Sequence, residues 1–294
     1  MRITRALAYL ATICWVQCAW AQNVESGEIQ IPFRLTDQNN MVVSATINGR
    51  DKLDLMLHTA ASDVTLTEEG AKKAPSVKFT EKVKMESWGG KSDSRISKGN
   101  VVQIGDLQRK NVSIFEDQLS GKSSDGKFGL DFFEKRIVEI DFDTSRISVY
   151  EKAPEKLDKF QRLPLHNQNG QLFVEASCSI DGETYTNRFL IHTGYAGGLL
   201  LDDEFAAKTG VDGKVKITEE SSLKDSFGNV IKVKKGVLPE LLLGDSRMDD
   251  VPMGFFAGAL GKQKVSVVGC EVLKRFHLIF DMAKNELYIR PRAF

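Results

Sequence analysis

The sequence has no excess of charge of either sign, because 40 lysines and arginines balance 40 aspartates and glutamates among 294 residues. Neither a nucleic-acid partner nor attachment to a charged membrane surface is expected from this balance. Long apolar runs are also missing. The most apolar stretch, ALAYLATICWV near the N-terminus, is shorter than the roughly 20 residues that span a bilayer, so no transmembrane anchor is expected.

The N-terminal apolar stretch has the features of a secretory leader. Arg2 and Arg5 precede it, and the small residues Ala19 and Ala21 follow it. Basic, apolar and small residues in this order are typical of a cleaved signal peptide. We therefore expect residues 1–21 to be removed and the protein to be secreted or periplasmic.

Cysteine is scarce as well. Of four cysteines, only Cys178 and Cys270 lie beyond the leader. Both fall in apolar, strand-like segments, so a disulfide bond and two buried free thiols are equally compatible with the sequence.

The remaining chain contains two copies of one strand pattern. Each copy starts with an alternating strand, turns at Asn48-Gly49 or Asp181-Gly182, and returns in an apolar strand. Three blocks recur in the same order: 42–66 with 174–201, 101–115 with 238–256, and 127–150 with 267–289. This repetition predicts an all-β protein with an N-terminal lobe at 22–150, a polar linker at 151–170 and a C-terminal lobe at 171–294.

The motifs at the ends of these strands resemble those of the pepsin-like and retropepsin-like aspartic peptidases. In that family an apolar strand ends in Asp-Thr-Gly, and a later apolar-apolar-Gly strand passes beneath it. Here the strands end in His58-Thr-Ala and His192-Thr-Gly, followed later by FGLDFF and VVGCEVL. The resemblance implies two duplicated β-barrel-like lobes of the aspartic-peptidase fold with a central cleft. It identifies the chain as a divergent secreted member of bacterial type, with both catalytic aspartates replaced by histidine.

The resemblance also implies roles for the residues around the two histidines. His58 and His192 are the candidate catalytic residues, if the protein is active. Loop bracing is assigned to Thr59, Thr193, Ser62 and Gly194, while Ala60 replaces a glycine and is expected to crowd the loop. Trp88 and Phe227, near the tips of two flap hairpins, and Tyr195 are expected to line the cleft.

Losing both carboxylates removes the shared proton on which aspartic-peptidase chemistry depends. The favoured interpretation is a non-proteolytic pseudoenzyme that binds an extended peptide or another small or polymeric ligand in the cleft. The alternative is a hydrolase or lyase that uses His58 and His192 as acid and base, or as ligands of a transition metal such as zinc or copper. A metal would need a third ligand, and Cys270, or otherwise His277, is the candidate. Residual aspartic endopeptidase activity is the least expected function.

Overall fold

The fold is described here from a computed structural model, which covers residues 28–87, 90–117, 123–224, 230–256 and 263–293. The leader at 1–21 lies outside these described residues, and so do Trp88 and Phe227. Within these ranges no helix combines the length and the apolar composition needed to cross a bilayer.

The described residues of the first half of the chain form eleven strands with two short helical segments. They are β1 (Ile29–Pro32), β2 (Arg34–Leu35), β3 (Met41–Ile47), β4 (Asp51–Leu57), β5 (Val64–Thr67), α1 (Glu68–Lys73), β6 (Glu81–Ser87), β7 (Gly90–Ile104), β8 (Leu107–Asp117), β9 (Gly126–Phe128), a 3-10 helix at Leu130–Phe133, β10 (Ile137–Asp141) and β11 (Arg146–Tyr150).

The second half repeats this arrangement. It contains a 3-10 helix at Glu155–Lys159, β12 (Gln161–Pro164), β13 (His166–Gln168), β14 (Gln171–Ile180), β15 (Glu183–His192), β16 (Leu199–Leu201), α2 (Asp203–Thr209), α3 (Val211–Lys214), β17 (Ile217–Lys224), β18 (Val230–Leu243), β19 (Ser246–Phe256), β20 (Ser266–Gly269), α4 (Cys270–Leu273), β21 (Phe276–Asp281) and β22 (Glu286–Pro291).

Each lobe is built around one sheet, and the two sheets have equivalent strand orders. The N-terminal order is β2-β3-β4-β9-β5-β8-β7-β6, and the C-terminal order is β13-β14-β15-β20-β16-β19-β18-β17. Pairing of β3 with β7, and of β14 with β18, closes six strands of each sheet into a barrel. The predicted all-β fold of two duplicated lobes is confirmed.

The predicted hairpin turns form as their sequences require. Asn48 and Gly49 both have positive φ, as do Asp181 and Gly182. Asn, Asp and Gly tolerate this conformation, and it matches the twist of the two strands that it joins. The turns set the register that directs alternate side chains of β3, β4, β14 and β15 into the barrels.

A third sheet joins the lobes, in the order β1-β11-β10-β21-β22-β12. Its centre is the antiparallel pair β10 and β21, in which Val138 lies opposite Phe280 and Ile140 opposite Leu278. The segment 151–170, expected to be a linker, contributes β12 to this sheet and β13 to the C-terminal lobe. Its alternating apolar residues, Leu163 and Leu165, are buried, which explains why the segment is extended and ordered into strands.

Both cysteines of the described residues are free thiols in the apolar interior. Burial raises the pKa of each thiol to about 12, so both remain protonated and unreactive at neutral pH.

Candidate active site

The two histidines lie at the ends of equivalent strands and meet between the lobes. His58 follows β4, and its backbone N–H donates to the carbonyl of Phe128 on β9. His192 ends β15 and is paired with Gly269 on the parallel strand β20. The ring centroids of the two histidines are 4.4 Å apart, with the ring planes at 56°. Residues 134 positions apart therefore share one site.

Two threonines join the loops by reciprocal hydrogen bonds. The backbone N–H of Thr59 donates to Oγ1 of Thr193 at 3.0 Å, and Oγ1 of Thr193 donates to the Leu57 carbonyl at 2.8 Å. The same bonds run in the opposite direction, from Thr193 N–H to Thr59 Oγ1 at 3.1 Å and from that hydroxyl to the Ile191 carbonyl at 2.6 Å. Both side chains are buried, so these four bonds hold the two loops in one geometry.

The residues after the threonines differ between the lobes. A Cβ atom on Gly194 would lie 2.2 Å from Cδ2 of His58, so the ring of His58 occupies the space that glycine leaves free. In the other loop, the half-buried methyl of Ala60 packs against an apolar cluster of the C-terminal lobe.

Ser62, assigned to loop bracing, is exposed. Its hydroxyl makes no hydrogen bond to any described residue. The neighbouring Asp63 has positive φ, and its backbone N–H donates to Asp131 at 3.1 Å. Asp131 therefore holds the end of the first loop, and Ser62 points to solvent.

Both imidazoles are kept neutral by their surroundings. Burial lowers the pKa of His192 to about 4, and the charge of Lys127 acts in the same direction. Burial, the neighbouring His192 and Lys127 together lower the pKa of His58 well below its usual value. Nδ1 of His58 is buried, with no hydrogen-bond partner among the described residues. The site thus holds two uncharged rings near pH 7.

Tyr195, expected to line the cleft, has its ring centroid 6.5 Å from that of His192 in an edge-to-face arrangement. It is half-buried and packs against the same apolar cluster as Ala60. Its carbonyl accepts a hydrogen bond from the backbone N–H of Cys270 at 2.8 Å. Tyr195 therefore connects the second loop to the segment beneath it.

The expected third metal ligand does not join the two histidines. In a group that could hold a metal ion, the potential ligand atoms all lie within 4.8 Å of one another. Those of His58, His192 and Cys270 do not meet this condition. Cys270 begins α4, and its thiol points into the apolar core. Two imidazoles alone are too few for a firm protein metal site.

His277 also lies away from the pair, in β21 of the joining sheet. Nδ1 of His277 is 3.2 Å from Asp141, and Nε2 is 3.0 Å from Asp143. These three residues are the only group of three potential metal ligands among the described parts of the chain. Arg292 also forms an ion pair with Asp143 at 2.6 Å, so we interpret the group as part of a polar network that fastens the chain after β22.

Sequence reasoning missed a charged pair beside the histidines. Lys127 on β9 contacts Asp117 at the end of β8 at 2.8 Å, and their side chains are only 13% and 4% exposed. A signal was present, because KFG at 127–129 aligns with VVG at 267–269. A lysine in an otherwise apolar block of the repeat indicates that its position does not serve apolar packing alone.

Comparisons with known proteins agree with this architecture. A family model described as "Aspartyl protease" matches residues 43–132, within the N-terminal lobe. The crystal structure of an aspartic proteinase from Irpex lacteus is similar with a TM-score of 0.61, and the match covers 91% of this chain and 98% of that one. Sequence identity is 12%, so the likeness establishes the aspartic-protease fold. No curated protein sequence matches the chain.

Proposed function

We propose that this protein binds an extended peptide in the cleft between its lobes and does not cleave it. The observation that carries the proposal is the pair of neutral imidazoles, 4.4 Å apart, at the loop ends where aspartic peptidases have their carboxylates. The aspartic-protease fold supplies a cleft for the ligand, while the residues at its centre lack the acid that such hydrolysis uses.

Aspartic-peptidase chemistry needs one ionised and one protonated carboxyl group that share a proton. Two imidazoles with lowered pKa values are both neutral near pH 7, and acidification would place two cations side by side. Two of the acids near the loops are engaged in ion pairs. Asp54 pairs with Arg34 at 3.0 Å, and Asp117 pairs with Lys127.

Peptide binding is supported by strand edges that each lobe leaves unpaired within the described structure. β6 and β17 are terminal strands of their sheets, and each belongs to a long hairpin with β7 or β18. Edge strands present backbone N–H and carbonyl groups that an extended peptide can pair with. Main-chain pairing of this kind does not depend on the histidines.

Secretion or a periplasmic location is part of the proposal. The support is the leader-like order of residues 1–21. N-terminal sequencing of protein recovered from the medium or periplasm tests it, and a mature chain that begins at Gln22 is the expected result.

A library of fluorescent random decapeptides tests binding and cleavage together. We expect binding in fluorescence anisotropy, no cleavage by mass spectrometry between pH 3 and pH 8, and little change in affinity in the His58→Ala, His192→Ala double variant. Cleavage that disappears in the double variant would overturn the proposal. Cleavage retained in that variant would point to a contaminating protease.

A second candidate is a hydrolase or lyase in which the imidazoles act as base and acid, or bind zinc or copper. The unpartnered Nδ1 of His58 favours it, because a neutral imidazole nitrogen can accept a proton or bind a metal. Metal analysis of the wild type and of the double variant separates these possibilities. A near-stoichiometric metal that is lost with the histidines would support metal-assisted chemistry, and activity near neutral pH without metal would support acid–base catalysis.

A further inference from the structure

The two lobes can be compared residue by residue on the sheet faces that flank the histidines. Lys127 lies beside Met56 and Thr65, and the equivalent Val267 lies beside Leu190 and Leu200. Thr65 pairs with a residue of β8, and Leu200 pairs with the equivalent residue of β19. Two residues further along these strands lie Asp117 and Phe256, which therefore occupy equivalent positions.

This comparison shows that the two faces differ in polarity at three equivalent positions. In the C-terminal lobe the face is an apolar cluster that includes Leu190, Leu200, Phe256 and Val267. In the N-terminal lobe the same register holds a lysine, an aspartate and a threonine, and none of the three belongs to an apolar cluster of the described residues. The difference is confined to this outer face, since both barrel interiors are apolar.

The charged pair is not needed to fill this position. A buried ion pair gives little net stability compared with apolar residues of similar volume, because removing both charges from water offsets their attraction. The C-terminal lobe shows that apolar side chains pack well in the same register. A purely structural role therefore leaves the choice of Lys127 and Asp117 unexplained.

The position of Lys127 gives the pair a role at the site. Lys127 precedes Phe128, whose carbonyl accepts a hydrogen bond from the backbone N–H of His58, and its ammonium charge lowers the pKa of both imidazoles. Its side chain retains 13% exposure, and the adjacent His58 is only half-buried. A ligand group that enters beside His58 meets the ammonium end of the ion pair in a poorly hydrated place, where charge-assisted hydrogen bonds are strong.

We propose that Lys127, oriented by Asp117, binds a carboxylate of the ligand beside the two histidines, while the half-buried Tyr195 contacts an adjacent apolar group of the ligand. The ligand class is an acidic peptide in which an Asp or Glu neighbours an apolar residue. This inference rests on the proposed function, because it assigns specificity to the same cleft.

Three peptides that differ only in Glu, Gln or Lys beside a Phe test this specificity. We expect the wild type to bind the Glu peptide about tenfold more tightly than the Gln peptide, as one charge-assisted hydrogen bond allows, and the Lys peptide least. The Lys127→Met, Asp117→Leu double variant removes both charges together and should abolish the preference. Lys156→Met is the matched control, since Lys156 pairs with the buried Glu139 at 2.7 Å in the joining sheet, and it should keep the preference.

Each outcome decides a different point. Equal binding of the three peptides, or an unchanged preference in the double variant, would overturn the inference and leave peptide binding intact. Failure of every peptide to bind would count against the proposed function instead. In that case, 4-phenylbutyrate and 4-phenylbutylamine test the inference. Their binding is followed through the histidine ring signals in NMR. A response to the acid alone that is lost in the double variant supports it, and any other response refutes it.

Discussion

The N-terminal and C-terminal lobes have the same strand order and the same barrel closure, yet they present different surfaces to the cleft. Around His192 the flanking face is an apolar cluster, and around His58 it contains the ion pair of Lys127 and Asp117. The barrel interiors and the threonine hydrogen bonds are alike in both lobes. Packing and buried hydrogen bonds thus preserve the duplicated backbone, while outward side chains are free to diverge.

The loops also differ in the residue that follows each threonine. Gly194 makes room for the ring of His58, whereas Ala60 adds a methyl that packs against the opposite lobe. Because the threonine hydrogen bonds are equivalent in the two loops, single substitutions in one lobe can be measured against their counterparts in the other.

Breaking the threonine hydrogen bonds should have the largest effect. Thr59→Val leaves the Thr193 N–H and the Ile191 carbonyl without partners in a buried place, at a cost of about 1 to 3 kcal/mol each. We expect urea unfolding to show a loss of about 4 kcal/mol, and an equal loss for Thr193→Val. The control is Thr65→Val, because Thr65 is also buried but its hydroxyl makes no hydrogen bond to a described residue. A tolerated Thr59→Val would show that the bonds do not join the lobes.

Acidification should destabilise the protein through the histidine pair. The unfolded chain takes up a proton at His192 near pH 6.5, whereas the folded chain does so only near pH 4. The free energy of unfolding therefore falls by about 3 kcal/mol as the pH decreases between these values, and this contribution is constant above pH 6.5.

Unfolding in urea at a series of pH values tests this expectation. His58→Asn and His192→Asn should each flatten the pH dependence. Whichever of the two flattens it more identifies the lobe that buries its imidazole more deeply. A dependence unaltered by both would contradict the neutral state of the pair.

Exchanging glycine and alanine between the loops should have a moderate effect. Gly194→Ala places a methyl against His58 and is expected to cost about 2 kcal/mol, because close-packed neighbours have to move. Ala60→Gly removes only a partly buried methyl and should cost about 1 kcal/mol or less. Thermal unfolding measures both. Equal losses would mean that the loops are more alike than the contacts of Gly194 indicate.

A smaller effect than that of the threonine substitutions is expected at a contact that only one lobe makes. The Asn39 side chain donates to the Ala196 carbonyl at 3.0 Å and to Glu271 at 2.9 Å, whereas Asn169 in the corresponding turn is exposed. Both asparagines have positive φ, so alanine strains both turns similarly. Asn39→Ala should therefore be about 1 to 2 kcal/mol more destabilising than Asn169→Ala. Identical losses would show that Asn39 contributes only through its backbone conformation.

The fold could be predicted because its signals are local and occur twice. Asn48-Gly49 and Asp181-Gly182 indicate hairpins, and the alternating strands around them fix which faces are buried. The meeting of His58 with His192 required the family resemblance, since 134 residues separate them. The third metal ligand could not be judged from the sequence, because the direction of the Cys270 thiol depends on where α4 begins. Lys127 was overlooked, although alignment of the two copies of the repeat places it at the position of Val267.

The sheet that joins the lobes has one more consequence, which concerns symmetry and assembly. Its strand order is β1-β11-β10-β21-β22-β12. This order remains the same when each strand is replaced by its equivalent in the other half of the chain. An isologous contact between identical subunits has the same twofold symmetry. Cutting the chain between β11 and β12 would divide this sheet into two three-stranded halves, each with an uncovered edge at β10 or β21. Such an edge pairs readily with a copy of itself. A separately produced lobe is therefore expected to associate with its own copies, and the covalent connection directs each half to the other instead.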